Sequence, residues 1–323
     1  MNEVTPAESL PESRHALHRS GRIWDESNCY LDVVIELLHY LGHEPLAALG
    51  ITVSTRWEAD QWTFCKFNDE DLRRLFGVDI QELNPWDRLL DHVQAQVEVG
   101  NTALVEVDSW FLPDTHGSSY RRAHVKTTIG VLSLDTVRES MCYLHGAGRY
   151  QLNGEDFTGI WRLSTENDGG LPPYVELVRQ MHTSRAPDIH EAAIHILKRE
   201  IDRLPATNPL VDFTESFSAR LPEFIRSGDM ELFHRYAFAT FRQIGACFEL
   251  LGSHLIWLRD RCSALDGEIA ENCNAIASTS RTFQFQLARA LARRRMLDLK
   301  PLEDMASRWQ LVTKSLQEAL PAC

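Results

Sequence analysis

The chain has no apolar run approaching the roughly 20 residues a bilayer requires. Its opening, MNEVTPAESLPESRHALHRSGR, also lacks the apolar stretch of a signal peptide. These absences predict a cytoplasmic protein with no membrane partner. No GxxxxGKS/T, GxGxxG or HExxH occurs. Nucleotide phosphates, dinucleotides and a catalytic zinc therefore lack positive support, and no bound cofactor or metal is expected. None of the seven cysteines (29, 65, 142, 247, 262, 273, 323) falls in a CxxC pair. Their odd number and scatter predict reduced thiols, neither a disulfide framework nor a zinc knuckle. Positive charge is in deficit, 33 Lys and Arg against 46 Asp and Glu for a net −13, which disfavours non-specific binding to nucleic acid.

What is present suits a folded protein of more than one domain. The 323 residues are 44% hydrophobic and 24% charged, enough apolar side chain for about two cores. Residues 1–20 are polar, contain Pro6 and Pro11 and show no periodicity, so they read as a disordered tail. In WDESNCYLDVVIELLHYLG, Val33, Val34, Leu37, Leu38 and Leu41 recur at helical spacing between an Asn28 cap and a Gly42 stop. This predicts an amphipathic helix with Cys29 in its first turn. A strand at 61–67 and helices at 69–76 and 86–99 follow by pattern. Short β-branched and aromatic segments at 102–112, 124–134, 140–146 and 150–161 predict an antiparallel sheet. Beyond Gly169-Gly170 and Pro172-Pro173 the pattern predicts helices at 174–204, 213–227, 230–262, 264–297 and 302–319. The fold class is therefore α+β, with a sheet-containing domain over 21–168 and an all-α domain over 169–323. Trp57, Trp62, Trp86 and Trp110 are expected in the core and pocket wall.

Cys29 is the candidate nucleophile. Backbone N–H groups at a helix start stabilise a thiolate and can help to hold an oxyanion, although a free cysteine is more often a small buried hydrophobe. His124, at the head of HVKTTIGVL, is the candidate base, and period-two alternation puts His124, Lys126 and Thr128 on one strand face.

A cysteine at a helix start followed by strands with a histidine at the head of one is the chain order of the papain-like and NlpC/P60-like superfamily. The segments ESNCYLDVVIELLHYLG, EADQWTFCKF, DIQELNPW, YRRAHVKTTIGVL, YLHGAG and NGEDFTGIWRL resemble domain-of-unknown-function family 1839. ALVEVDSWFLPDT, with its following histidine, more distantly resembles the N-terminal domain of butirosin-biosynthesis H proteins, which are acyltransferases. The resemblance spans residues 24–163. It implies a papain-like N-terminal domain in which Cys29 is acylated by a carrier-protein thioester carrying phosphopantetheine. His124 then assists transfer of an aminoacyl group to an amine or hydroxyl of a small-molecule or peptide acceptor. Family members are associated with ligases that charge carrier proteins with amino acids, in keeping with that role.

For the residue orienting His124, three candidates stand in order. A hairpin turn near 135–139 would return His145 beside His124, as the NlpC/P60 pattern implies. Asp108 follows, ending the preceding strand, and then Asp135, which an extended strand would carry to the far hairpin end. Papain's glutamine before the cysteine has no counterpart, since Asp25, Glu26, Ser27 and Asn28 stand there. Asn28, Gln61 and neighbouring Asp60 are the candidate oxyanion or substrate-binding groups, with Tyr120, Arg121 and Lys126 flanking His124. Arg289, Arg293, Arg294, Arg295 and Lys300 form a basic stripe that could dock an acidic carrier. An aminoacyl-tRNA donor is disfavoured by the net charge, and the helices could instead build a homodimer. A cysteine peptidase or amidase and a non-catalytic binding module remain the rival classes.

Overall fold

The computed structural model describes residues 14–19, 21–163, 173–181 and 186–323. In chain order the elements of the first half are α1 (Cys29–Tyr40), β1 (Trp57–Glu58), β2 (Gln61–Trp62), α2 (Asp69–Phe76), β3 (Val78–Glu82), α3 (Leu89–Glu98), β4 (Thr102–Asp108), β5 (Lys126–Asp135), β6 (Ser140–His145), β7 (Gly148–Asn153) and α4 (Gly154–Ile160). They are followed by β8 (Val175–Gln180), α5 (Ile189–Asp202), α6 (Pro209–Ser227), α7 (Met230–Ala237), α8 (Gln243–Leu258), α9 (Gly267–Arg293) and α10 (Lys300–Ala319). Among the described residues no helix is long and apolar enough to cross a membrane.

The chain divides into two compact units that interleave in sequence. Of the described residues, 14–19, 28–44, 68–163 and 173–181 form the first, and residues 21–27, 45–67 and 186–323 the second. The expected boundary at 168/169 lies outside the described residues. Within the sequence-derived first domain, however, residues 45–67 belong to the second unit. The 3-10 segment Pro45–Ser54 is apolar and buried, packing on α5 and α8. At Gly50 a Cβ would come 3.1 Å from His254 Nε2 and 3.4 Å from Leu197 Cβ, so a side chain there would crowd this contact. Trp57 and Trp62, on the β1–β2 hairpin, pack around Phe213 at ring distances of 5.0 and 5.5 Å.

The first unit is built on an antiparallel sheet of order β3-β8-β4-β5-β6-β7. Its strand β8 falls where a helix over 174–204 was expected, and the helix begins only at Ile189. Asp188 marks that start, its carboxylate accepting from the backbone N–H groups of His190 and Glu191. One sheet face carries the core of Val105, Val107, Ile129, Val131, Tyr143 and Phe157, closed by α3 and α4. The other face takes α1. Leu104, Gly130 and Leu144 are in register across β4, β5 and β6, and a Cβ on Gly130 would sit 3.4 Å from Val33 of α1.

The helix α1 is not amphipathic in its packing: Leu31, Val33, Val34, Ile35, Leu37 and Leu38 are all buried. Two carboxylates, Asp32 and Glu36, are buried with them. Their partner comes from the segment expected to be disordered. Residues 1–13 and 20 lie outside the described residues, but Ala16–His18 forms a 3-10 turn, and His18 Nδ1 stands 2.6 Å from Glu36 while its Nε2 stands 3.3 Å from Asp32. The His15 backbone N–H also donates to Glu36, at 3.0 Å. Two buried carboxylates require such neutralisation.

The second unit is otherwise helical. α7 and α8 are joined by a π-helical turn, Phe238–Arg242. Cys262 and Cys323 form a disulfide, which corrects the expectation of reduced thiols throughout. It closes a sequence separation of 61 residues, and cross-linking a loop of that size stabilises by about 4 kcal/mol in the chain-entropy view. Cys323→Ser or a reductant is expected to lower the unit's urea-unfolding free energy by that order, with no further loss when the two are combined. Additive losses would show that the two cysteines are not joined.

Candidate active site

Cys29 is the first residue of α1, capped by Asn28, whose side-chain oxygen accepts from the Leu31 N–H at 2.7 Å. Its thiol is partly exposed and lies 3.9 Å from Thr128 Oγ1. Thr128 pairs with Glu106, and Lys126 with Asp108. By strand alternation these four share the sheet face of Gly130 and Leu104, the face that takes α1.

His124 stands two residues before β5 begins and is 70% exposed at its side chain. Its Nδ1 is 2.6 Å from Asp108 Oδ2, and its ring stacks on Trp110 at 4.5 Å with an interplanar angle of 8°. The other carboxylate oxygen of Asp108 accepts from the Trp110 backbone N–H at 3.0 Å. The carboxylate is thus fixed on one side by the main chain and orients the imidazole with the other. This leaves Nε2 as the imidazole nitrogen available to a ligand, the arrangement of an oriented acid–base group.

His124, Asp108, Glu106 and Lys126 line a cleft of about 550 Å³ with Val107, Phe111, Val125, Ile160, Arg162 and Pro173. Lys126 Nζ is 2.6 Å from Glu106 Oε1. The cleft mixes an apolar wall with two acidic and two basic side chains, a lining that fits a ligand with an apolar portion and a polar one. Sequence reasoning did not identify Glu106, Phe111 or Arg162. Glu106 shares the strand alternation with Asp108, a usable signal, whereas Arg162 reaches the cleft only through the α4 packing.

Cys29 and His124 are not hydrogen-bonded to each other. Their side-chain partners differ: the thiol meets Thr128 Oγ1 and the imidazole meets Asp108.

His145, first in order to orient His124, sits elsewhere. It pairs with Ile129 and so lies on the core face, opposite Cys29 and Thr128. There its Nε2 is 2.8 Å from Thr127 Oγ1 and its Nδ1 is 2.5 Å from Asp114, which also accepts from the Tyr143 hydroxyl. The hairpin register, shifted between Val131 and Ser133, carries His145 away from His124. Asp135 makes the turn itself, accepting from the Val137 and Arg138 N–H groups. Of the three candidates, Asp108 is the one in contact with His124.

The remaining candidates separate. Tyr120 and Arg121 are both committed to Asp156 of α4, at 2.9 and 2.5 Å, and do not line the cleft. Asp60 and Gln61 belong to the second unit, where Asp60 lies 3.5 Å from Arg220 and Gln61 pairs with Glu58. Trp86, expected in the core or pocket wall, is 84% exposed. Arg289, Arg293, Arg294, Arg295 and Lys300 are all exposed and gather where α9 ends and α10 begins. Helix α9 stops at Arg293 because Arg294 adopts a left-handed conformation, φ 49°. Among the described residues none of the five has an ion-pair partner. Nor is any group of three or more His, Cys, Asp or Glu among the described residues arranged to hold a metal ion.

Comparison with protein families matches residues 13–180 to the DUF1839 N-terminal domain and residues 187–318 to the DUF1839 C-terminal domain. The chain belongs to the DUF1839 family. No curated protein matches it.

Proposed function

We propose that this DUF1839 protein is an acyltransferase that moves an aminoacyl group from a carrier-protein thioester to an amine or hydroxyl acceptor, with His124 as its acid–base group. The observation that carries the reading is the Asp108–His124 pair, held by Trp110 and opening onto the cleft. The acceptor attacks the thioester carbonyl while His124 Nε2 takes its proton. Collapse of the tetrahedral intermediate breaks the C–S bond, and the imidazolium returns the proton to the departing thiolate. Arg162 lines the cleft and would supply a guanidinium to the developing oxyanion, Lys126 being paired with Glu106. The unpaired basic cluster Arg289 to Lys300 suits the acidic surface of a carrier bearing phosphopantetheine.

A second reading keeps the papain-like course through an acyl-Cys29 intermediate. It is favoured by the thiol's position at the first residue of α1, partly exposed on the face shared with Lys126 and Thr128. In that course the His124 loop closes on Cys29 when the donor binds. The direct course needs no hydrogen bond between the thiol and the imidazole, whose partners here are Thr128 and Asp108.

The test is a product assay with aminoacyl thioesters presented on a carrier protein and on free pantetheine, with small amines and alcohols as acceptors. Formation of the amide or ester, faster from the carrier, is the expected result. Free amino acid as the only product would make the protein a hydrolase, and no turnover from any donor would make it a binding module. Equal rates from both donors would remove the docking role of the basic cluster.

A further inference from the structure

His124 stands in a run of six exposed residues, Arg121 to Lys126, so burial of its own stretch does not hold it over the cleft. Polar anchors at the two ends of the run do. On the β5 side the Val125 carbonyl accepts from the Ser109 N–H at 2.9 Å. On the other side two consecutive residues are tied to one carboxylate of α4. The Tyr120 hydroxyl donates to Asp156 Oδ2 at 2.9 Å, and the Arg121 guanidinium donates to Asp156 Oδ1 at 2.5 Å. The Asp156 side chain is 13% exposed, and each of its oxygens is occupied by this anchor.

Arg121 carries the anchor under strain. Its φ is 53°, the left-handed region, which a residue with a side chain keeps only where its surroundings hold it there. In that conformation its N–H donates to the Trp110 carbonyl at 3.1 Å while its side chain reaches Asp156. Trp110 is the residue whose ring stacks on His124, so the support of the imidazole also passes through Arg121. The guanidinium carbon lies 5.3 Å from the centroid of the Phe111 ring. That ring fills the space beside Gly159 of α4, where a Cβ would collide with it. The cleft is lined by Gly159 and Ile160 of α4 and by Phe111, His124 and Val125 of the β4–β5 connection. One ion pair, Arg121 with Asp156, therefore ties two of its walls together.

We propose that Asp156 is a positioning residue of the acyl-transfer site, holding through Tyr120 and Arg121 the segment that sets His124 over the cleft. Asp156 does not itself line the cleft, and it acts by restricting where the imidazole can go. Proton transfer needs that imidazole within hydrogen-bond reach of the acceptor, and a displacement of about 1 Å can cost about 10²-fold in rate. The role rests on the acyl-transfer reading, whereas the anchor itself can be measured without any turnover.

Hydrogen–deuterium exchange and transfer kinetics on the full chain, read side by side, test it. Asp156→Asn keeps the size of the side chain and removes its charge. The amides of Arg121, Arg122 and Ala123, each hydrogen-bonded in the wild type, are expected to exchange about tenfold or more faster, with those of Ile129 and Val131 in β5 unchanged. In the transfer assay kcat should fall about 10–10²-fold while KM for the carrier thioester stays within about threefold. Arg121→Gly, at ease at a positive φ, removes the same anchor from the exposed side and should reproduce both effects, which also covers the case of Asp156→Asn failing to fold. The double variant should be no slower than the slower single one. Unchanged exchange at residues 121–123, faster exchange with kcat and KM both unaltered, or additive losses in the double variant would each overturn the proposal. Absence of transfer by the wild type would remove the acyl-transfer reading, and with it this role for Asp156, even if the exchange rates confirmed the anchor.

Discussion

Replacing His124 by alanine is expected to slow acyl transfer by about 10²–10⁴-fold, the range supplied by a positioned acid–base group. Because the side chain is 70% exposed, the substitution should leave the melting temperature within a degree or two of the wild type, roughly the ±0.5 kcal/mol expected of surface changes. Asp108→Asn removes the charge that orients the imidazole while retaining the cap on the Trp110 N–H through the amide oxygen. It should cost about 10²-fold, and the double variant should be little slower than His124→Ala alone, because the two residues act as one device. His145→Ala provides the contrast. It breaks the Thr127–His145–Asp114 chain on the opposite sheet face and should lower stability before it lowers transfer by the folded fraction. A loss of transfer in His145→Ala equal to that in His124→Ala, at unchanged stability, would place the acid–base function on the wrong histidine.

The second large effect concerns His18 and pH. The imidazole is buried between Asp32 and Glu36. Burial opposes its charge, but hydrogen bonds and coulombic attraction from the two carboxylates outweigh it, raising the pKa from 6.5 to about 9. Between those values the folded protein keeps a proton that the unfolded chain has released. The stabilisation is therefore complete below about pH 6.5 and is lost as pH rises through about 9. The shift corresponds to an amount on the order of 3 kcal/mol. Urea unfolding of the first unit, followed across that window, should show stability falling towards alkaline pH. His18→Ala leaves two buried carboxylates without their cation, and should cost about 3–5 kcal/mol at neutral pH and flatten the decline. A decline of the same size in the variant would show that another group is responsible.

That cluster also illustrates what the sequence could not disclose. Residues 14–19 are polar and non-periodic, the local signature of a tail, and they are ordered by contact with two carboxylates on α1. Asp32 and Glu36 could have raised suspicion, because they sit among apolar residues on a helix whose neighbours are all buried. Local signals did place α1, with its Asn28 cap, and the strands from Thr102 to Asn153, where alternation and turn residues agree. Val175–Gln180 was misread because VELVRQ mixes helix and strand formers and its burial depends on pairing with both β3 and β4. Residues 45–67 join the helical unit through contacts distant in sequence, which no local pattern encodes.

At the site, residue types were more legible than registers. Cys29, His124 and Asp108 were all singled out, and strand alternation correctly joined Lys126 to Thr128. The orienting role went first to His145 because a hairpin returns the chain to the right neighbourhood without fixing which face a residue takes. A shift of one residue reverses that face, and the irregularity between Val131 and Ser133 lies in the intervening stretch. That the Cys29 thiol meets Thr128 and the His124 imidazole meets Asp108 is an outcome of how α1 and the chain before β5 pack on the sheet, which no local pattern encodes.

The decisive measurement is intact-protein mass spectrometry during a single turnover with an aminoacyl carrier-protein thioester and an amine acceptor, run on the wild type, Cys29→Ala and His124→Ala. Direct transfer assisted by His124 is expected to give product without an enzyme adduct, at a rate within about threefold of wild type in Cys29→Ala and lost in His124→Ala. An aminoacyl mass on the wild-type protein that disappears in Cys29→Ala together with the product would contradict it and establish the thiol as the acyl carrier.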